Sequence, residues 1–172
     1  MMTASSSQAP PPGASVCFAA SFDHPVLAAV LSFAIAQGLK VLLTRYKEGH
    51  WDLSRLFGSG GMPSSHSATV MGLAAAIGIK DGPGGSPFAI AVVLASVVMY
   101  DASGVRLQAG YQAKVLNQIV IDLPPEHPLS ESTPLGELLG HTPLQVLAGG
   151  ILGCIVASSL HVILYGLSFA NF

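Results

Sequence analysis

The sequence predicts an all-α integral membrane protein, a multi-pass helical bundle of about four to five transmembrane helices. Of its 172 residues, 51% are hydrophobic and only 9% are charged, whereas a soluble domain carries about 25% charged residues. So few charges cannot cover a globule in water, but they suffice to cap helices whose sides face lipid. The 19 glycines fit the same class, because small residues let helix backbones approach closely within a bilayer.

The composition also excludes several function classes. The net charge of -2 argues against nucleic-acid binding, which needs a basic face. Cys17 and Cys154 are far apart and form no C-x-x-C motif. No Cys/His cluster has the spacing of a zinc site, so neither a metal nor another cofactor is expected.

The chain divides into a tail and one membrane domain. Residues 1–22 are rich in Ser, Ala and Pro and contain no Lys or Arg, which fits neither a secretory signal nor a transit peptide. We expect them to form a flexible tail. Residues 23–172 are expected to form the membrane helical domain.

Four apolar segments are candidate membrane spans: residues 24–44, 63–80, 87–110 and 142–169. The second segment is short for a span, which needs about 20 residues. The third segment is strongly apolar in its first half and amphipathic in its second half. It therefore either continues past the membrane or breaks into two helices.

Alternating crossings would place the polar clusters of these segments on one membrane face. The clusters are Lys40 with Arg45, Ser64–Ser65–His66, Asp101 with Arg106, and Glu137 with His141. Chance would not favour one face so strongly, so this face is predicted to contain a functional site.

The sharpest local pattern is GMPSSHS at residues 61–67. Pro63 suits the first turn of a helix, and Ser64 and Ser65 can cap its free N–H groups. Such a helix start is also a natural anion site, where His66 could donate a proton to a bound anion. The alternative is a plain helix cap followed by a histidine at the membrane interface.

A second histidine precedes another apolar helix in LGHTPLQVLAG at residues 139–149. His66 and His141, at two helix starts on one face, could attack and protonate a common substrate. The ordinary histidine pKa near 6.5 suits either role. Alternatively, His141 is a cap or an interfacial residue.

Two cations complete the predicted site. Arg106, close to Asp101, offers a planar set of donors to phosphate oxygens, or else it is an interfacial arginine paired with Asp101 or extended towards headgroups. Lys40 is a charge inside an apolar span and hence a functional candidate, unless it only extends to the membrane surface. Together, two cations, two serines and two histidines are the groups needed for phosphoryl transfer through a phosphohistidine.

Four motifs, in order along the chain, resemble one known superfamily. They are Q37-x-x-K40, GMPSSHS, YDASGVRLQAGYQA and LGHTPLQVLAG. PSSHS resembles the P-S-G-H motif of the type 2 phosphatidic acid phosphatase and vanadium haloperoxidase superfamily, and HTPLQVLAGGILG resembles its third motif. The combination is similar to the divergent branch known as acid phosphatase/vanadium-dependent haloperoxidase-related membrane proteins, and it covers roughly residues 23–169.

The resemblance implies roles for individual residues. His141 would be the nucleophile that forms the phosphohistidine, and His66 would be the general acid for the leaving group. Ser64 and Ser65 fall where the superfamily binds phosphate oxygen, and Lys40 corresponds to the first-motif lysine.

Two departures from the superfamily pattern concern the third motif. Pro134 and Leu135 occupy the places of its Ser-Arg pair, so the missing positive charge would have to come from Arg106.

The aspartate that orients the nucleophile in the superfamily is Gln145 here. Gln145 can accept a hydrogen bond from an imidazole but cannot stabilise its positive charge. Losing the comparable carboxylate in a serine-protease triad costs roughly 10⁴ in rate. Glu137 or Asp101 would have to substitute.

The sequence therefore predicts a membrane phosphatase that hydrolyses a phosphate monoester or diphosphate, with a phosphorylated lipid or a small phosphate ester as its partner. The alternative is a catalytically degenerate member that binds a lipid headgroup or a partner protein without turnover. A haloperoxidase and a channel or transporter have less support from the residues.

Overall fold

All regular secondary structure in the described part of the chain is helical. The computed structural model describes residues 24–49, 51, 61–137 and 139–170, so the predicted tail, residues 1–22, lies outside the described residues. The helices are α1 (His24–Glu48), α2 (Ser65–Asp81), α3 (Ser86–Ser103), α4 (Val105–Ile121) and α5 (Pro143–Ala170). The predicted all-α bundle is confirmed.

Three stretches are long and apolar enough to cross a membrane: His24–Tyr46, Ser86–Ile121 and Pro143–Leu164. The protein is therefore an integral, multi-pass membrane protein. The other predicted span is α2, whose 17 residues extend only about 25 Å at 1.5 Å per residue.

The predicted third segment breaks into two helices at Gly104. The backbone of Gly104 has φ −107° and ψ −85°, and its N–H donates to the carbonyl oxygen of Tyr100 at 2.8 Å. A Cβ at this position would lie 2.9 Å from the same carbonyl oxygen, which explains the glycine. Of the two alternatives, continuation past the membrane or a break, the break is correct.

The short helix α2 lies at the centre of the bundle and contacts α1, α3 and α5. It runs antiparallel to α1, since Ser65 at its start contacts Lys40 late in α1 and Gly72 packs on Ser32 in the middle of α1. It runs parallel to α5, because Gly149 and then Gly153 meet successive turns of α2. The starts of α2 and α5 and the end of α1 therefore lie at one end of the bundle.

Small residues make this packing possible. A Cβ on Gly149 would overlap the carbonyl oxygen of Ser64, and one on Gly153 would overlap that of Ala68. The fully buried apolar core is made of alanines such as Ala28 and Ala157. The large aliphatic side chains point outwards instead, as expected where the surroundings are lipid.

We expect Gly153→Ala to lower stability by about 1–3 kcal/mol, the usual cost of overpacking. The added methyl would overlap the Ala68 carbonyl and lie 2.7 Å from the Gly72 nitrogen. The measurement is thermal unfolding in detergent micelles.

Gly38→Ala is the matched control for Gly153→Ala, because Gly38 lies in α1 and its Cβ would have no atom within 4 Å. The control should be neutral or slightly stabilising. Equal melting temperatures for both variants would contradict the close α2–α5 approach.

Candidate functional site

The start of α2 is held by buried serines. Ser64 is the N-cap, and its Oγ accepts hydrogen bonds from the N–H of Ser67 at 3.3 Å and from the Oγ of Ser67 at 3.0 Å. The Ser64 N–H donates to the carbonyl oxygen of Gln145 in α5 at 3.1 Å. The cap thus also ties the first turn of α2 to the first turn of α5.

Lys40 brings a buried positive charge to the same place. Its side chain is 2% exposed, and its Nζ donates to the Oγ of Ser65 at 3.2 Å. Among the described residues, no carboxylate lies within ion-pair distance of this ammonium. A buried charge without an opposite charge is costly, so an anion bound nearby would be strongly stabilised.

The two predicted histidines face each other across the end of the bundle. The ring centroids of His66 and His141 are 6.5 Å apart, with the ring planes at 76°. His66 is the exposed residue in the otherwise buried first turn of α2, whereas His141 is 2% exposed. The His141 N–H donates to the carbonyl oxygen of Ala102 at 3.0 Å, which fixes the His141 backbone on the end of α3.

The His141 ring carries an unsatisfied polar atom. Its Nε2 is buried and has no hydrogen-bond partner among the described residues. Buried nitrogens of this kind are uncommon and call for a physical explanation. A ligand atom at this nitrogen would supply one.

Both histidines border one cavity of about 250 Å³. Its wall is formed by residues of α2, α3, α4 and the segment before α5: His66, Val97, Val98, Asp101, Ala102, Arg106, Leu139 and His141. Arg106 is part of this wall, and its Nε forms an ion pair with Oδ2 of Asp101. The cavity therefore combines two imidazoles, one guanidinium and one carboxylate with apolar walls.

The electrostatic surroundings keep His141 neutral. Burial, together with the nearby positive charges of Lys40, His66 and Arg106, lowers the pKa of His141 from 6.5 to about 4. The neutral imidazole, with a free lone pair, is the form that can attack an electrophile.

Four of the nine predicted site residues line the cavity, and three more lie behind it. His66, Asp101, Arg106 and His141 are in the lining. Lys40, Ser64 and Ser65 are fully buried next to it, with Ser64 occupied as a helix cap.

The two remaining residues have other partners. Gln145 Oε1 accepts the Thr142 N–H at 3.0 Å and so caps α5. Glu137 Oε1 accepts a hydrogen bond from Asn117 of α4 at 2.9 Å. Neither lines the cavity, so Asp101 is the predicted carboxylate that the fold brings to it.

Sequence reasoning missed the residues that hold the His141 segment. Asn117 binds the backbone of Leu135 through both of its amide atoms, at 2.9 Å and 2.8 Å. Gly140 packs against the backbone of Leu107, where a Cβ would overlap it. The glycine before His141 was a usable signal, but a lone Asn on an amphipathic helix was not.

No metal site emerges within the described ranges, where no three His, Cys, Asp or Glu side chains gather closely enough to hold an ion.

The fold and the cavity together define a class: a multi-pass helical membrane protein with a paired-histidine site at one end of its bundle. The chain belongs to the divergent PAP2 family, which matches residues 22–156. The resemblance of the four motifs is therefore confirmed at the level of the family.

One relative supports the membrane assignment. The chain is 36% identical over 144 residues to the "Uncharacterized membrane protein YuiD" of Bacillus subtilis (strain 168), covering 78% of this chain and 91% of the relative. No solved structure matches the chain.

The lowered pKa of His141 predicts an acid-sensitive fold. The unfolded chain takes up a proton on this residue near pH 6.5, whereas the folded protein does so only near pH 4. Stability should therefore fall as the pH decreases from about 6.5 towards 4, by about 2 kcal/mol between pH 7 and pH 5. His141→Gln should lose less stability over this interval, as measured by thermal unfolding in micelles at both pH values.

The control for this pH experiment is His127→Gln, which changes an exposed loop histidine and should retain the wild-type pH dependence. An unchanged pH dependence in His141→Gln would show that His141 does not titrate as a buried neutral group.

Proposed function

We propose that this protein is a membrane phosphatase that hydrolyses a lipid-linked phosphate monoester or diphosphate through a phosphohistidine intermediate. The observation that supports this proposal most directly is the pair of imidazoles, whose ring centroids are 6.5 Å apart, at a cavity that Arg106 also lines. A nucleophile and a proton donor on two sides of one small cavity are what a two-step phosphoryl transfer needs.

In the first step the lone pair of His141 Nε2 attacks the phosphorus atom. The bond between phosphorus and the leaving oxygen breaks, and His66 donates a proton to that oxygen to release the alcohol. The unpartnered Nε2 and the lowered pKa of His141 support its role as the nucleophile. Burial and the positive charges of Arg106 and Lys40 lower the pKa of His66; a bound phosphate would act in the opposite direction and favour the protonated form, because an anion raises the pKa of an adjacent imidazole.

In the second step a water molecule attacks the phosphorus of the phosphohistidine. His66, now neutral, takes a proton from the water, the bond between phosphorus and Nε2 breaks, and inorganic phosphate leaves. The exposed position of His66 supports this step, since water must reach the side of the cavity opposite to the buried His141.

Two cations would stabilise the charge that develops on the phosphate oxygens. Arg106 offers its terminal amino groups from the cavity wall, since its Nε is engaged with Asp101. Lys40 supplies a second positive charge from the buried layer behind the cavity. Preorganised charges of this kind stabilise the charge that develops in the transition state of phosphoryl transfer.

The surroundings of the cavity favour a lipid-linked substrate. Val97 and Val98 of α3 and Leu139 form its apolar wall, and Val97 faces outwards from the bundle. The volume of about 250 Å³ is below the roughly 300–1,000 Å³ of drug-sized pockets. A phosphate headgroup would occupy the cavity while the hydrocarbon part stays in the bilayer.

A second candidate function is binding without turnover. It is favoured by Gln145, which stands where the superfamily has an orienting aspartate and which caps α5 instead. Such a protein would bind a phosphorylated headgroup through Lys40 and Arg106 and would not need His141 as a nucleophile.

The test is hydrolysis of phosphatidic acid, an isoprenyl diphosphate and an aryl phosphate by the purified protein in detergent. We expect turnover of at least one substrate, inhibition by vanadate, and a loss of at least about 10³-fold in kcat for His141→Ala. Lys40→Met should lower kcat/KM by about 10²-fold or more. His127→Ala, in an exposed loop, is the matched control and should retain activity.

Binding of phosphatidic acid separates the two candidate functions. If no substrate turns over above the level of His141→Ala, the phosphatase proposal fails. Binding that survives His141→Ala but is lost in Lys40→Met and Arg106→Gln would then support the binding protein.

A further inference from the structure

Helix α4 is the least packed helix of the bundle. Among the described helices it contacts only α3. Its inner side carries Gly110, Ala113 and Asn117, which face the segment returning towards His141. The opposite side of the helix is exposed at Gln108, Tyr111, Gln112, Val115 and Ile119.

One side of α4 is a stripe of exposed apolar residues. Tyr111, Val115 and Ile119 repeat at intervals of four residues and therefore lie on one side of the helix, each more than half exposed. Leu116 continues this surface at 49% exposure. A shallow groove runs over the stripe beside Leu116.

The apolar stripe is continuous with the lipid-facing surface of the bundle. Helix α3 exposes Val93 and Val97 along its membrane-spanning length. Val105, the first residue of α4, is exposed as well, directly after the break at Gly104. The bilayer that covers the outer side of α3 thus reaches the beginning of α4.

Polar residues on α4 limit how deeply the helix can lie. Gln108 and Gln112 stand among the apolar residues of the stripe, whereas Lys114 lies on the side of the helix turned away from Val115 and Ile119; all three polar residues are exposed. In the hydrocarbon core the two amides and the ammonium would lack polar partners. In the headgroup layer they have partners, and an amphipathic helix can lie there with its apolar side about 5–10 Å into the bilayer.

We propose that α4 is an interfacial helix that binds the surface of the bilayer, with Tyr111, Val115 and Ile119 towards the acyl chains and Lys114 towards water.

This placement links the bilayer surface to the cavity. Arg106 lies in the first turn of α4, and Leu107 packs against Gly140, the neighbour of His141. The depth of α4 therefore sets the height of the Arg106 guanidinium relative to the lipid headgroups. This link to substrate binding rests on the proposed phosphatase function, but the position of α4 does not.

The test measures the depth of single nitroxide labels on α4. The whole chain, with Cys17→Ser and Cys154→Ser, is labelled at Val115→Cys or Ile119→Cys, and at Lys114→Cys as the matched control. Each variant is placed in vesicles of phosphatidylcholine and phosphatidylglycerol. Collisions with oxygen, which concentrates in lipid, and with a water-soluble nickel complex are then compared.

We expect the ratio of oxygen to nickel collisions to be several-fold higher at Val115 and Ile119 than at Lys114. Nickel access at all three positions would mean that α4 projects into water and would overturn the proposal. Oxygen access without nickel access at all three would mean a membrane-spanning α4 and would also overturn it, as would the absence of both at Val115 and Ile119, which would mean a protein partner. No outcome depends on catalytic activity, so the phosphatase proposal can fail independently.

Discussion

The close approach of the α2 and α5 backbones is the constraint on which the site depends. Gly149 and Gly153 allow α5 to lie directly on the carbonyl groups of Ser64 and Ala68, and the Ser64 N–H then reaches the Gln145 carbonyl. Because the two helices run parallel, their first turns meet at one level. Lipid offers no hydrophobic drive between helices, so shape and backbone proximity have to hold this contact.

Charge placement follows from that packing. Because α1 runs antiparallel to α2, Lys40 is buried beside Ser65. Because α3 ends at the same level, the carbonyl oxygen of Ala102 accepts a hydrogen bond from the backbone N–H of His141. The result is a cluster of cationic groups around a neutral, buried His141. The Lys40 ammonium is buried without a carboxylate partner among the described residues, and a bound anion would offset the cost of that burial. This is the physical reason for proposing phosphate chemistry at the site.

The sequence motifs and the structure differ most where a residue has two possible partners. Gln145 was one of three possible orienting residues for His141, but its side-chain oxygen accepts the Thr142 N–H at the start of α5. Glu137 was expected one helical turn before His141, yet residues 132–137 and 139–142 are not helical, and Glu137 accepts a hydrogen bond from Asn117 instead. Asp101 stays at the cavity because the break at Gly104 returns Arg106 towards it. Local spacing could not decide these choices, since each depends on a contact made by another element.

The sequence by itself determined the membrane class, the bounds of α1, α2 and α5 within four residues, and the identity of the histidines, because hydropathy, helix starts and motifs are local properties of the chain. It also predicted that the polar clusters share one end of the bundle, since alternating crossings leave few other arrangements. Only the tertiary structure decided that His66 and His141 border the same cavity, that Ser64 serves as a buried cap, and that α4 leaves the bundle at Gly104. Those features arise from distances between elements far apart in the chain, which no periodicity along the sequence encodes.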